Sequence, residues 1–179
     1  TEAIYSILQK MPGKECGIVI VQHISDAFNA AFAQRLNKKV GINVSNARHG
    51  EIIRCNCAYV APAGTHLAIR KSDSDSGYEC VLSDDEAAGF HRPSVDVLFD
   101  SVGREARSDA VGIILTGMGK DGAAGLVTMR QAGAYTIAQD EDSSGVWGMP
   151  GAAVKKGGAA DVASLDAIAD LVRRRFSLD

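Results

Sequence analysis

At 179 residues, with 46% hydrophobic and 23% charged side chains, the chain has enough apolar material for one well-buried core and too little for two. A net charge of −3 without a basic run excludes the electrostatic footprint of a nucleic-acid binder. No apolar stretch reaches the length of a membrane span, so direct membrane insertion is excluded as well.

The chain opens on "TEAIYSILQKM", which places Ile4, Ile7, Leu8 and Met11 on one helical face and predicts an amphipathic helix over residues 1–11. "GIVIVQ" (17–22) is a short β-branched run that predicts a strand buried on both faces. A helix follows in "DAFNAAFAQRLNKK", with Phe28, Ala31, Phe32, Arg35 and Leu36 at helical spacing and Ser25 or Asp26 as N-cap. The runs "CAYVAP", "HLAIRK" and "YECVLS" predict strands, with the polar residues 72–77 as a hairpin tip. Together they read as an antiparallel hairpin insertion over 57–83. "RPSVDVLFDSVGREA" predicts a helix with Pro93 near its first turn and Val97, Leu98 and Val102 inward.

From residue 110 strands and helices alternate: "AVGIILT", "DGAAGLVTMRQAG", "AYTIAQ", a short helix in "GMPGAAVKKGG", "ADVAS" and a closing helix "LDAIADLVRRRF". Such alternation implies right-handed βαβ units and a parallel sheet. The expected fold is therefore α/β, a doubly wound, mostly parallel Rossmann-like sheet carrying an antiparallel hairpin, in one domain over 1–179.

Ligands of open α/β sheets bind beyond the carboxyl ends of the strands, and three strands of this chain end in chemically notable loops. His23 follows the first, Asp121 another, and the acidic and glycine-rich stretch 140–148 a third. Gly117-Met118-Gly119-Lys120-Asp121-Gly122 also spells G-x-G-x-x-G, with Asp140 about twenty residues on as a ribose-binding acid. A nucleotide-binding reading of Gly117–Gly122 thus stands beside a catalytic one. Against it, a carboxylate sits where phosphate would approach, and that fingerprint normally opens a fold. Asp121 also reads as an ordinary helix N-cap, and His23 as a polar residue at a strand end. As a pair they suit a general base with its orienting carboxylate. They need a nucleophile, and no G-x-S-x-G occurs; Ser6, Ser25, Ser94, Ser143 and Ser144 lack a glycine-flanked elbow. Cys16, Cys55, Cys57 and Cys80 read as reduced thiols of a cytoplasmic protein, because Cys55-Asn56-Cys57 lacks a second pair at zinc-ligand spacing.

"IVIVQHIS", "AYVAPAGTHLAI", "HRPSVDVLFDSV", the long run 110–139 and "GVWGMPGAAV" together resemble the catalytic domain of the chemotaxis protein-glutamate methylesterases, CheB, over nearly the whole chain. The resemblance implies a parallel α/β sheet with a serine hydrolase triad in the order Ser, His, Asp. His23 is then the triad histidine and Asp121 the triad aspartate, with Met118 and Gly119 in the oxyanion loop. His91 and Arg92 are expected near the site, or else as capping and ion-pairing groups. The family's serine lies in a G-A-S-T-G-G-T-E segment, and Thr1-Glu2 matches its last two residues, so the serine and its strand are expected upstream of Thr1. Residues 1–179 by themselves, a fragment or processed product on this reading, are accordingly expected to be inactive. The family further implies methyl-accepting receptors as substrates, glutamine deamidation as a second activity, a receiver domain fused upstream, and no metal or organic cofactor. A non-catalytic fragment that only docks to receptors or to a regulatory domain remains a rival.

Overall fold

A computed structural model describes residues 1–11, 16–74, 77–86 and 91–176. Its elements run α1 (Glu2–Lys10), β1 (Ile18–Ile20), α2 (Asp26–Lys39), β2 (Asn43–Asn46), β3 (Cys57–Val60), β4 (His66–Lys71), β5 (Tyr78–Ser83), α3 (Val95–Glu105), β6 (Val111–Ile114), α4 (Ala123–Gln131), β7 (Tyr135–Gln139), α5 (Met149–Lys155), β8 (Asp161–Ala163) and α6 (Leu165–Arg175). Two parallel three-stranded sheets result, ordered β1-β3-β2 and β6-β7-β8, and β4 and β5 form a separate antiparallel pair.

The strand β3 corrects the expected hairpin insertion. It is not part of an antiparallel unit but lies between β1 and β2, parallel to both, with Ala58 opposite Ile18 and Val44. Among the described strands β4 and β5 alone pair antiparallel, with Lys71 opposite Tyr78 and an isolated antiparallel bridge from Ile52 to Glu79; Asp75 and Ser76 of the expected tip lie outside the described residues. Hydrophobic content explains the difference: Ala58, Tyr59 and Val60 are all buried, the signature of a strand covered on both faces.

Helices cover the sheets on two sides. Leu98, Phe99 and Val102 of α3 and Leu126 and Met129 of α4 pack with Ile114 and Ala153 in one core. On the other side, α1 divides its residues between two clusters: Leu8 joins Ile20, Phe32 and Val60, while Ile7 joins Ile137, Ile168 and Val172. Thus α1 straddles the line between the two sheets. The face of α2 is rotated from the expected one: Asn29, Phe32, Ala33 and Leu36 are buried, and Phe28 is 68% exposed. The helix α3 starts two residues later than expected, with Ser94 as N-cap after the cis Arg92–Pro93 bond.

Between β1 and β6 lies a cavity of about 750 Å³. Ile18, Val19, Ile20 and Val21 line one side, Val111, Ile113, Ile114 and Leu115 the other, and Ile4 and Ile7 of α1 lie over it. β1 pairs only with β3, and β6 only with β7, among the described residues. The expected two-sided burial of the 17–22 run is therefore incomplete, with Ile20 alone of β1 buried.

Close approach of α3 and α4 depends on Gly125. A Cβ there would meet Phe99 Cβ at 2.7 Å and the Asp96 carbonyl oxygen at 2.9 Å. The backbone oxygen cannot rotate away, so Gly125→Ala is expected to lower stability by roughly 1–3 kcal/mol, the usual cost of overpacking. Urea unfolding should show a lower midpoint at unchanged slope; an unchanged midpoint would mean that the helices separate freely.

Candidate active site

His23 stands just beyond the carboxyl end of β1, and the loop 115–122 leads from the carboxyl end of β6 into α4. Their side chains meet, although 98 positions separate them: His23 Nε2 lies 2.8 Å from Asp121 Oδ2. With the carboxylate ionised, Nε2 carries the shared proton and Nδ1 is the nitrogen with a free lone pair.

The carboxylate is held from several directions. Its Oδ1 accepts from Ser94 Oγ at 2.8 Å and from the Asp96 amide at 3.0 Å, and its Oδ2 accepts from the Val95 amide at 2.8 Å. Those amides are the first turn of α3. Asp121 therefore caps a helix other than the one it precedes, in a position that the dipole of α3 also favours. The N-cap of α4 is Gly122, whose φ of +86° and contact distance of 2.5 Å from a built Cβ to Val95 Cγ1 admit only glycine. In return, Asp96 of α3 accepts the Gly125 amide of α4 at 2.7 Å. The loop leading into α4 thus supplies the carboxylate for α3, and α3 supplies one for α4.

Burial opposes ionisation of Asp121, but the hydrogen bonds from His23, the Val95 and Asp96 amides and Ser94 outweigh it and hold the carboxyl well below its ordinary value of 3.8. Burial and the nearby Asp121 charge act on Asp96 in the opposite sense and raise it, against the Gly125 amide bond that lowers it. A carboxyl depressed in the folded state binds its proton more readily when unfolded. Its stabilisation is therefore complete above about pH 4 and is lost as pH falls from there toward the folded value. In urea titrations at pH 3 to 6, wild type should lose unfolding free energy toward the acid end more steeply than Asp121→Asn. Parallel curves would show that Asp121 is not the linked group.

Neighbouring residues complete the rim. His91 stacks on His23, ring centroids 4.3 Å apart at an interplanar angle of 26°, which limits the tilt of the imidazole. Arg92 turns away and donates instead to the Asp84 and Asp85 carbonyls. In the 115–122 loop Gly119 adopts φ +91° and the Met118 side chain is 83% exposed. The third loop braces it: Gly117 N–H donates to the Val146 carbonyl, Met149 N–H to the Gly117 carbonyl, and Thr116 Oγ1 to the Val146 carbonyl. Buried Gln139 accepts the Thr116 amide and donates to the Ser143 carbonyl.

The features of the nucleotide reading are engaged elsewhere. Asp140 Oδ1 accepts from the Ser143 amide at 2.9 Å, and the Gly125 amide of α4 carries the Asp96 carboxylate. A phosphate at that helix start would face Asp96 and Asp121 together. Cys80 is buried, and burial first, then the Glu51 and Glu79 charges, push its thiol up to about 12, so it is no nucleophile.

Sequence reasoning passed over Ser94 as a residue without an elbow; here its hydroxyl serves Asp121. It also left out His66, whose Nδ1 accepts the Ser94 amide at 3.2 Å.

The CheB methylesterase family model matches residues 1–172. A protein-glutamate methylesterase/protein-glutamine glutaminase of Geobacter metallireducens is 51% identical over 176 residues, which are 98% of this chain and 47% of that protein. The Escherichia coli O157:H7 protein of the same name is 44% identical over 177 residues, 99% of this chain and 50% of its own length. The chain thus spans about half the length of the curated relatives it matches. The crystal structure of the Thermotoga maritima CheB methylesterase catalytic domain superposes with a TM-score of 0.90 at 28% identity, covering 99% of this chain and 92% of that one. By sequence over nearly its whole length, and by fold, the chain belongs to the CheB methylesterase family.

Proposed function

We propose that this chain is the catalytic part of a serine-type protein-glutamate methylesterase acting on γ-glutamyl methyl esters of chemotaxis receptors. The observation that carries the reading is the 2.8 Å contact of His23 and Asp121 at the rim of a strand-lined cavity. The names of the relatives support the substrate class, and their greater length leaves room for the rest of the site.

In this reading a strand from upstream of Thr1 enters the cavity between β1 and β6 and ends in a serine beside His23. The seryl Oγ attacks the ester carbonyl carbon while its proton passes to His23 Nδ1, and Asp121 stabilises the imidazolium through Nε2. Main-chain N–H groups receive the oxyanion, that of Met118 among them, on the turn that Gly119 shapes. When the bond from carbonyl carbon to methoxy oxygen breaks, the imidazolium proton leaves with methanol. Water then attacks the acyl-serine, gives its proton to Nδ1, and the glutamate carboxylate and the serine hydroxyl are released. With an amide as substrate the same steps expel ammonia and turn glutamine into glutamate. Neither sequence of steps calls for a metal or an organic cofactor. A receiver domain fused upstream and a cytoplasmic setting belong to the same reading.

The test is methanol release from methylated receptor by the chain extended upstream through the serine segment. Saturable release that ceases on replacing that serine is expected. Release undiminished in His23→Ala would overturn the reading.

A further inference from the structure

His66 lies outside the His–Asp pair, yet it is 2% exposed and both ring nitrogens are committed. Its Nδ1 lies 3.2 Å from the Ser94 amide nitrogen, and its Nε2 lies 3.2 Å from the Glu86 carbonyl oxygen. An amide only donates and a carbonyl only accepts. The ring is therefore neutral, protonated at Nε2 and an acceptor at Nδ1.

The peptide that His66 holds is the one that starts α3. The next donors along the chain, Ser94 Oγ and the Val95 and Asp96 amides, all end on Asp121. Among the described residues the Ser94 amide has His66 as its one acceptor, and Ser94 itself is fully buried, so water cannot take over. We infer that His66 is a positioning residue for catalysis. Standing at the first position of β4, it ties α3 to the antiparallel pair and fixes the helix start that orients Asp121 against His23. It touches neither substrate nor the reacting atoms; its effect passes through Ser94.

The inference rests on the hydrolase reading above, and the experiment separates the two. Two amide variants are made in the chain extended upstream through the serine segment. In His66→Asn the short side chain places an oxygen near the position of Nδ1 and can accept the Ser94 amide. In His66→Gln the amide reaches toward Glu86 and leaves Ser94 without its acceptor. Both are polar, and Asn is the smaller and the one depleted in strands, so a simple packing role would treat them alike or favour Gln. The expected result is kcat within about threefold of wild type for His66→Asn. For His66→Gln kcat falls on the order of ten- to a hundredfold, the cost of sub-ångström misplacement in a site, with KM little changed. Thermal unfolding of each variant is followed in parallel, and kcat is compared at a temperature at which each is folded. Equal kcat in the two variants, or a loss confined to KM, would overturn the inference. A wild type that releases no methanol would instead count against the hydrolase reading.

Discussion

Replacing Asp121 by Asn, in a chain that carries the upstream serine segment, is expected to lower kcat by about 10⁴-fold, the loss associated with the wrong histidine tautomer in Ser-His-Asp sites. The hydrogen bonds here make the conflict unusually broad. His23 Nε2 and the Val95 amide donate to one carboxylate oxygen, and Ser94 Oγ and the Asp96 amide to the other. An asparagine offers one acceptor oxygen. If that oxygen keeps Ser94 and Asp96, its NH₂ group faces His23 and the Val95 amide. His23 must then accept at Nε2 and carry its proton on Nδ1, the nitrogen that has to take the seryl proton. If the amide is turned the other way, its NH₂ faces the Asp96 amide, and α3 keeps the bond from Val95 but loses that from Asp96. Methanol release and denaturant unfolding on the same variant separate these outcomes. A variant with kcat within tenfold of wild type would remove Asp121 from the mechanism.

The second large effect concerns the cavity between β1 and β6. Among the described residues each strand pairs on one side only, and their other edges face each other across about 750 Å³ where the strands present isoleucine, valine and leucine. Main-chain N–H and C=O groups along such edges cost on the order of 1–3 kcal/mol each when buried without partners, against a total of about 5–15 kcal/mol for a domain. A parallel strand between β1 and β6 would pair both edges and turn two three-stranded sheets into one continuous sheet. Residues 1–179 expressed alone should therefore aggregate or melt without a cooperative transition, or unfold roughly 10 °C or more below the chain extended upstream. The bare chain should also show no esterase activity, since among the described residues no hydroxyl or thiol is hydrogen-bonded to His23. Equal melting temperatures for the two would show that the cavity needs no strand.

How far the sequence could be read varied with the range of the interactions involved. The alternation after residue 110 was legible because β6, α4, β7 and α5 pack on their sequence neighbours and β8 pairs with nearby β7, and periodicity reports such local packing. The place of β3 was not. "CAYVAP" stands next to two runs of similar length, which suggests a local hairpin, whereas its partner β1 lies about forty residues upstream and leaves no mark on the intervening chain. The strand β2 was missed because Asn43, Ser45 and Asn46 give an edge strand with Val44 as its one buried apolar side chain. In the site, His23 and Asp121 could be paired from the strands that precede them. Ser94 and His66 could not, since a buried serine before a helix and a histidine at a strand start carry no spacing signal for each other. The capping role of Asp121 was seen but given to the wrong helix: spacing along the chain points to α4, and only packing brings α3 beneath it.

That exchange of carboxylates between α3 and α4 has an evolutionary consequence. Active-site residues are commonly a stability liability, so that their removal makes a protein more robust. Asp121 is the reverse, because the fold leans on it whether or not any ester is ever cleaved. On the proposed reading, a descendant that gave up hydrolysis for binding alone would be free to lose His23 but would be held to Asp121 by its own helix start. In lineages that drift from catalysis, the aspartate should outlast the histidine, and its presence in a distant homologue would testify to architecture before it testified to chemistry.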